Sequence, residues 1–178
     1  MIFSDESGFV MVPHAKRTWA PRGQTPCLLI GLKRGRWNVI SALIVSLKQH
    51  RLNLHAMMTT DKVATEAIIA FMAEVLRCES GPLLWFWDGA PIHDNVIVQN
   101  FVAQHPRLRL IYFPAYAPEL NPCEGVWAQM VDRLSSKLML NLDHLGRELT
   151  RSLHITRASQ SLLWACIKAS DLPWSLSH

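Results

Sequence analysis

Three carboxylates stand where apolar runs end or helical patterns begin. Asp5 lies in the opening run MIFSDESGF. Asp88 closes PLLWFWD just before Gly89-Ala90-Pro91, and Glu124 lies in YAPELNPCEGVW. A desolvated carboxylate is costly unless it is paired or binds a cation. Carboxylates that converge supply the hard oxygen ligands that Mg²⁺ takes in octahedral geometry, with some waters retained. Two such ions about 3.5–4 Å apart activate a nucleophile and stabilise the leaving oxygen in phosphodiester chemistry. Three carboxylates suffice for that if one bridges. Each residue also has a plainer reading. Asp favours the start of a turn, which accounts for Asp88. Asn121, Pro122 and Glu124 fit the N-cap, first and third positions of a helix, a capping box in type. Asp5 has Glu6 beside it, and successive strand residues point to opposite faces, so only one of the two faces a given site. A solvated strand end is the alternative for Asp5.

The elements that must position these groups follow from pattern. Residues 1–11 read as a strand, KRTWAPRGQTP (16–26) as a turn-rich connection, Cys27–Leu32 as a second strand and Trp37–Leu47 as a third, with a short edge strand over Arg51–His55. A helix follows over about Asp61–Arg77, with Ala64, Ile68, Phe71, Met72 and Val75 in one stripe. Leu83–Trp87 is a continuous apolar run, expected of a strand buried on both faces. Residues 92–104 read as a helix with Val96, Phe101 and Val102 toward the core, and Leu108–Phe113 as a strand. A helix starts near Asn121 with the stripe Trp127, Met130, Val131, Leu134 and Leu138, and helices over about 142–155 and 158–169 close the chain. Strands that alternate with helices after an initial meander give an α/β fold with a mixed β-sheet and helices on both faces, the succession of the ribonuclease H-like fold. In open α/β sheets sites form outside the carboxyl ends of strands, where Asp88 stands.

Composition narrows the class. The chain has 178 residues, 49% hydrophobic and 18% charged, which fits one globular domain. The apolar run Val39–Leu47, broken by Ser41 and Ser46, falls short of the roughly 20 residues that cross a bilayer. No signal-peptide pattern is visible, so no membrane partner is expected. Cys27, Cys78, Cys123 and Cys166 include no C-x-x-C pair, which argues against zinc and suits a reducing cytoplasm. A net charge of +4 and a pI of about 9.1 lean mildly toward a polyanionic partner.

The blocks SDESGF, TWAPRGQTP, WDGAPIH and YAPELNPCEGVW, with the residues 89–123 between the last two carboxylates, resemble the catalytic domain of the mariner-type DDE transposases, in particular their bacterial insertion-sequence branch. The resemblance spans about residues 1–140. It implies that Asp5, Asp88 and Glu124 are a catalytic, metal-binding triad, served by two Mg²⁺ or Mn²⁺ ions per site. It implies cut-and-paste cleavage and strand transfer of transposon-end DNA into a target, with water and then a DNA 3′-hydroxyl attacking phosphorus. No covalent protein nucleophile is needed. His93 matches a family histidine near the site that either orients a carboxylate or contacts DNA, and an ordinary hydrogen-bonded histidine at a helix start is the plainer reading. Lys16, Arg17 and Arg22 around Trp19, and Lys33, Arg34 and Arg36 at a hairpin tip, are candidate contacts to the DNA backbone. A buried Trp19 and a solvated hairpin are the alternatives there. Glu119 reads as a surface residue and Cys123 as a packing residue.

The family carries an N-terminal helix-turn-helix region, whereas Met1 here opens the first catalytic strand. The expectation is therefore one catalytic domain over 1–178 without that region, acting as a homodimer on DNA in the bacterial cytoplasm, with a separately encoded helix-turn-helix half as a further partner. The competing expectation is a non-catalytic piece that binds full-length transposase as a partner or inhibitor.

Overall fold

The computed structural model describes residues 1–11, 21–24, 35–135 and 137–173. The strand expected over Cys27–Leu32, and Lys16, Arg17, Trp19, Lys33 and Arg34, lie outside the described residues.

A five-stranded mixed sheet is built from β1 (Ile2–Val10), β2 (Arg36–Ser46), β3 (Arg51–Thr59), β4 (Leu83–Trp87) and β5 (Leu108–Tyr112), in the order β3-β2-β1-β4-β5. β1, β2 and β3 form an antiparallel meander, while β1, β4 and β5 run parallel. The parallel pairs need crossovers, and α1 (Thr65–Cys78) and α2 (Val96–Ala103) supply them. Both pack on one face, where Ile68, Phe71, Met72, Val75 and Val98 meet Ile2, Ile40, Trp85 and Trp87. The other face carries α3 (Cys123–Leu134), α4 (Leu142–Ala158) and α5 (Gln160–Ala169) over Phe3, Phe9, Val39, Leu43 and Leu54. The inner strand β2 is covered on both sides, which is why Asn38–Val45 is buried without alternation. This is the ribonuclease H-like arrangement expected from the order of elements.

Some details differ from the expectations. β3 runs beside Asn38–Ser46 of β2 and continues past His55 to Thr59, because the ladder from Ser46↔Arg51 to Asn38↔Thr59 carries through Ala56, Met57 and Met58. β4 alternates: Leu83, Trp85 and Trp87 are buried beneath α1 and α2, but Leu84 on the opposite side is 39% exposed. Asn95 caps α2 by accepting from the backbone N–H of Ile97 and Val98, so the helix starts at Val96. That phase turns Val98 inward and leaves Val96 on the surface. Leu138 lies beyond the end of α3 and is exposed. Among the described residues no helix is long and apolar enough to cross a membrane.

Candidate active site

β1, the end of β4 and the start of α3 deliver Asp5, Asp88 and Glu124 to one cleft of about 460 Å³. Its rim is the loop from Phe113 to Pro118, which continues from the carboxyl end of β5. No Ser, Thr, Cys or Lys lines it among the described residues.

Asp5 sits mid-strand opposite Ser41 of β2 and is half-buried rather than a solvated strand end. Trp127 of α3 donates its indole N–H to Asp5 Oδ2 at 2.8 Å. Burial pushes the Asp5 carboxyl up to about 7, the Trp127 bond opposes that rise, and the charges of Glu124 and Glu6 add to it. Two like charges crowd a poorly solvated carboxylate, an arrangement that a cation relieves.

Asp88 follows β4 directly. Its Oδ1 accepts from the Ala90 backbone N–H at 3.1 Å, so the turn reading is correct as far as it goes. The same oxygen accepts from His93 Nδ1, and this bond holds the carboxyl below its usual range. Oδ2 has no protein partner among the described residues, and the side chain is 55% exposed. One oxygen is thus anchored and the other is available to a ligand in the cleft.

His93 lies in the turn before α2, 2% exposed, with its ring stacked on Trp87 at 4.3 Å between centroids. Its Nε2 lies 3.1 Å from the Glu6 carboxylate. Burial disfavours the charged ring, yet the bonds to Asp88 and Glu6 outweigh it and lift the pKa to about 9. Ionised carboxylates only accept, so both ring nitrogens donate. A side chain this enclosed suits the orienting of a carboxylate and not contact with DNA, which corrects the second of the two roles considered for it.

Glu124 does not complete a capping box. α3 begins at Cys123 behind Pro122, and the Asn121 N–H donates to the Pro118 carbonyl and not to the Glu124 side chain. Asn121 instead donates through Nδ2 to the Ser4 carbonyl at 3.1 Å and accepts at Oδ1 from the Cys123 N–H, pinning the helix start to β1 one residue before Asp5. The Glu124 carboxylate is left exposed in the cleft, with its pKa raised by partial burial and without a hydrogen-bond partner among the described residues. Cys123 is a packing residue: fully buried, it donates to the Phe3 carbonyl, and burial pushes its thiol far up.

The three carboxylates share the cleft, but no three Asp, Glu, His or Cys side chains form a ready-made metal cage among the described residues. The donor set still fits a hard divalent cation, being all oxygen and mutually repulsive.

Of the basic candidates, Arg22 is exposed in a turn closed by Gln24 N–H to Pro21 carbonyl, with Gly23 at φ +86° supplying the left-handed position. The Arg36 backbone is at the exposed start of β2 and its guanidinium covers Gly8, away from the cleft. Three contributors escaped the sequence reading. Glu6, which strand alternation turns to the face opposite Asp5, secures His93. Trp127, expected in the apolar stripe of its helix, also holds Asp5. Tyr116, at φ +59° and fully exposed on the cleft rim, stands in AYAPEL without a signal beyond Pro118.

Comparison with known proteins bears on the fold. The Mos1 transposase paired-end complex with left transposon end and the Mos1 mariner paired-end complex with Mn each match with a TM-score of 0.73 at 15% identity, over 94% of this chain and 51% of theirs. The catalytic domain of Mos1 mariner transposase matches with a TM-score of 0.63 at 13% identity, over 94% of this chain and 74% of that one. The chain thus spans about half the length of the two complexes' transposase chains, and the likeness at such identity is one of fold. No curated protein sequence matches. The sequence profile of the DDE superfamily endonuclease family matches residues 1–145, and the chain belongs to that family.

Proposed function

We propose that this chain is the catalytic unit of a transposase, cutting transposon-end DNA and joining it to a target in a reaction that requires divalent metal. The observation that carries the proposal is the meeting of Asp5, Asp88 and Glu124 in one cleft at the carboxyl ends of β4 and β5. The metal- and DNA-bound state of the Mos1 complexes supports it. Asp5, Asp88 and Glu124 would hold two Mg²⁺ or Mn²⁺ ions. Bound there, the ions would activate the attacking hydroxyl and stabilise charge on the phosphate.

The chain's own residues prepare that chemistry. Trp127 fixes Asp5 and leaves its charge unneutralised. His93, braced by Glu6 and Trp87, commits one oxygen of Asp88 and so fixes the direction of the other. Asn121 sets the distance between Glu124 and β1. Without cations the cleft carries a concentration of negative charge that repels phosphate, so DNA and metal are expected to bind cooperatively. Arg22 and Arg36, with Lys16, Arg17, Lys33 and Arg34, are proposed DNA contacts outside the cleft. Two copies on paired DNA ends are the proposed working unit, with a separate helix-turn-helix half reading the end sequence. No observation favours the competing reading of a non-catalytic partner fragment.

The test is nicking of duplex DNA by the chain with Mg²⁺ or Mn²⁺. Asp88→Asn and Glu124→Gln should each reduce the rate by at least about 100-fold, since each removes several kcal/mol of transition-state stabilisation. Cleavage that survives either change, or that is absent from the parent with both metals, overturns the assignment.

A further inference from the structure

On the same face of the sheet as the acidic cleft, α4 and the ends of β2 and β3 border a second, shallow and open groove of about 770 Å³. Its floor is Trp37 and Met58, and its wall is the exposed side of α4 with Arg147, Arg151 and His154. The spacing 147, 151, 154 puts these three side chains on one helical face. Neither Arg147 nor Arg151 makes a hydrogen bond or close ion pair with any described residue; the neighbouring Glu148 is bonded by Lys137 and feels the charge of Arg151 at longer range. Asp143 is the acidic group of the lining.

The floor is built rather than incidental. The Trp37 indole donates to the Leu142 carbonyl at 2.9 Å. α4 presses so closely on that ring that a Cβ on Gly146 would stand 3.0 Å from it. Trp37 pairs with Phe9 of β1, and Phe9 meets Trp127 edge-on at 6.1 Å between centroids. Trp127 in turn holds Asp5. The groove therefore stands at a fixed position, on the order of 15 Å from Asp5, given about 3.4 Å per residue along a strand and 4.8 Å across one. At about 3.4 Å per nucleotide of one strand, that is some four nucleotides.

We propose that this groove binds the phosphate backbone of the DNA flanking the cleaved position, with Arg147 and Arg151 as the phosphate contacts. The inference rests on DNA being the substrate of the cleft. Charge complementarity carries it: two exposed guanidiniums without a hydrogen bond to any described residue, facing a single carboxylate of the lining over an aromatic floor, match the charge of a phosphate backbone. The contact is sequence-independent, so it adds affinity and register without reading bases.

The test is fluorescence anisotropy of the full chain carrying Asp88→Asn on a labelled generic duplex, between about 50 and 200 mM salt. Adding Arg147→Ala and Arg151→Ala should weaken binding and flatten the slope of log K against log salt by about 1.8, at about 0.9 per phosphate contact. Arg147→Lys with Arg151→Lys should restore the slope. Lys48→Ala with Lys168→Ala, which removes equal charge from exposed positions elsewhere, should leave it unchanged. An unaltered slope in the arginine variant, or an equal drop in the lysine control, overturns the groove while the DNA reading stands. A parent that binds no DNA overturns the DNA reading and the groove together.

Discussion

Asp5 is the carboxyl that its surroundings make hardest to ionise. Its pKa stands at about 7 in the fold against 3.8 for the free side chain. Between those values the folded chain holds a proton that the unfolded chain has lost, so stability falls as pH rises through this window. The metal-free protein should melt at progressively lower temperature from pH 4 to pH 7, and Asp5→Asn should remove part of that slope. At pH 8 Mn²⁺ should raise the melting temperature of the parent more than that of the Asp5→Asn variant. His93→Ala frees the anchored oxygen of Asp88. Loss of such a supporting partner costs about 10–100-fold in metal affinity or activity, read as a higher half-saturating Mn²⁺ concentration. Tyr116→Ala should weaken binding of single-stranded DNA by about 1–3 kcal/mol, the usual worth of a base stacked on an aromatic ring. Its melting temperature should stay unchanged because the ring is fully exposed. Asp88 and Glu124 were legible in the sequence because a turn after a strand and a proline-led helix start are local signals. Glu6 with His93 and Trp127 with Asp5 were not, since 87 and 122 positions separate the partners and only the assembled sheet brings them together.

Among the elements, α3 decides where Glu124 stands, and it is held by Asn121 at its start and by α5 along its side. Gly125 is the point of closest approach: a Cβ there would lie 2.8 Å from the Cys166 Cα, a backbone atom that cannot swing aside. Gly125→Ala should cost about 1–3 kcal/mol by overpacking, measured by denaturant unfolding. It should also depress cleavage, because α3 moves together with Glu124. The strands show why the sequence reading succeeded unevenly. β2 and β4 announced themselves through Val, Ile, Leu and Trp. The pattern ends β3 at His55 because Ala56-Met57-Met58 lacks β-branched and aromatic residues, and pairing with Asn38–Ser46 of β2 overrides that preference. In the helix before β5, the cap at Asn95 sets the phase, so Val98 and not Val96 meets the core.

At the scale of the whole molecule, two apolar layers clamp one sheet, and the acidic cleft opens at its edge beside α3. A net charge of +4 surrounds a cleft lined by three carboxylates, so attraction of DNA and repulsion at the reacting phosphate coexist until cations intervene. The central claim is that Asp88 is a metal ligand and not merely a turn residue, and Asp88→Cys tests it most directly. A thiolate is a soft ligand that Mg²⁺ accepts poorly and Mn²⁺ accepts better. Nicking by this variant should be lost by about 100-fold or more in Mg²⁺ and substantially recovered in Mn²⁺, while the parent works in both. Equal loss in the two metals, or full activity in Mg²⁺, would contradict the account.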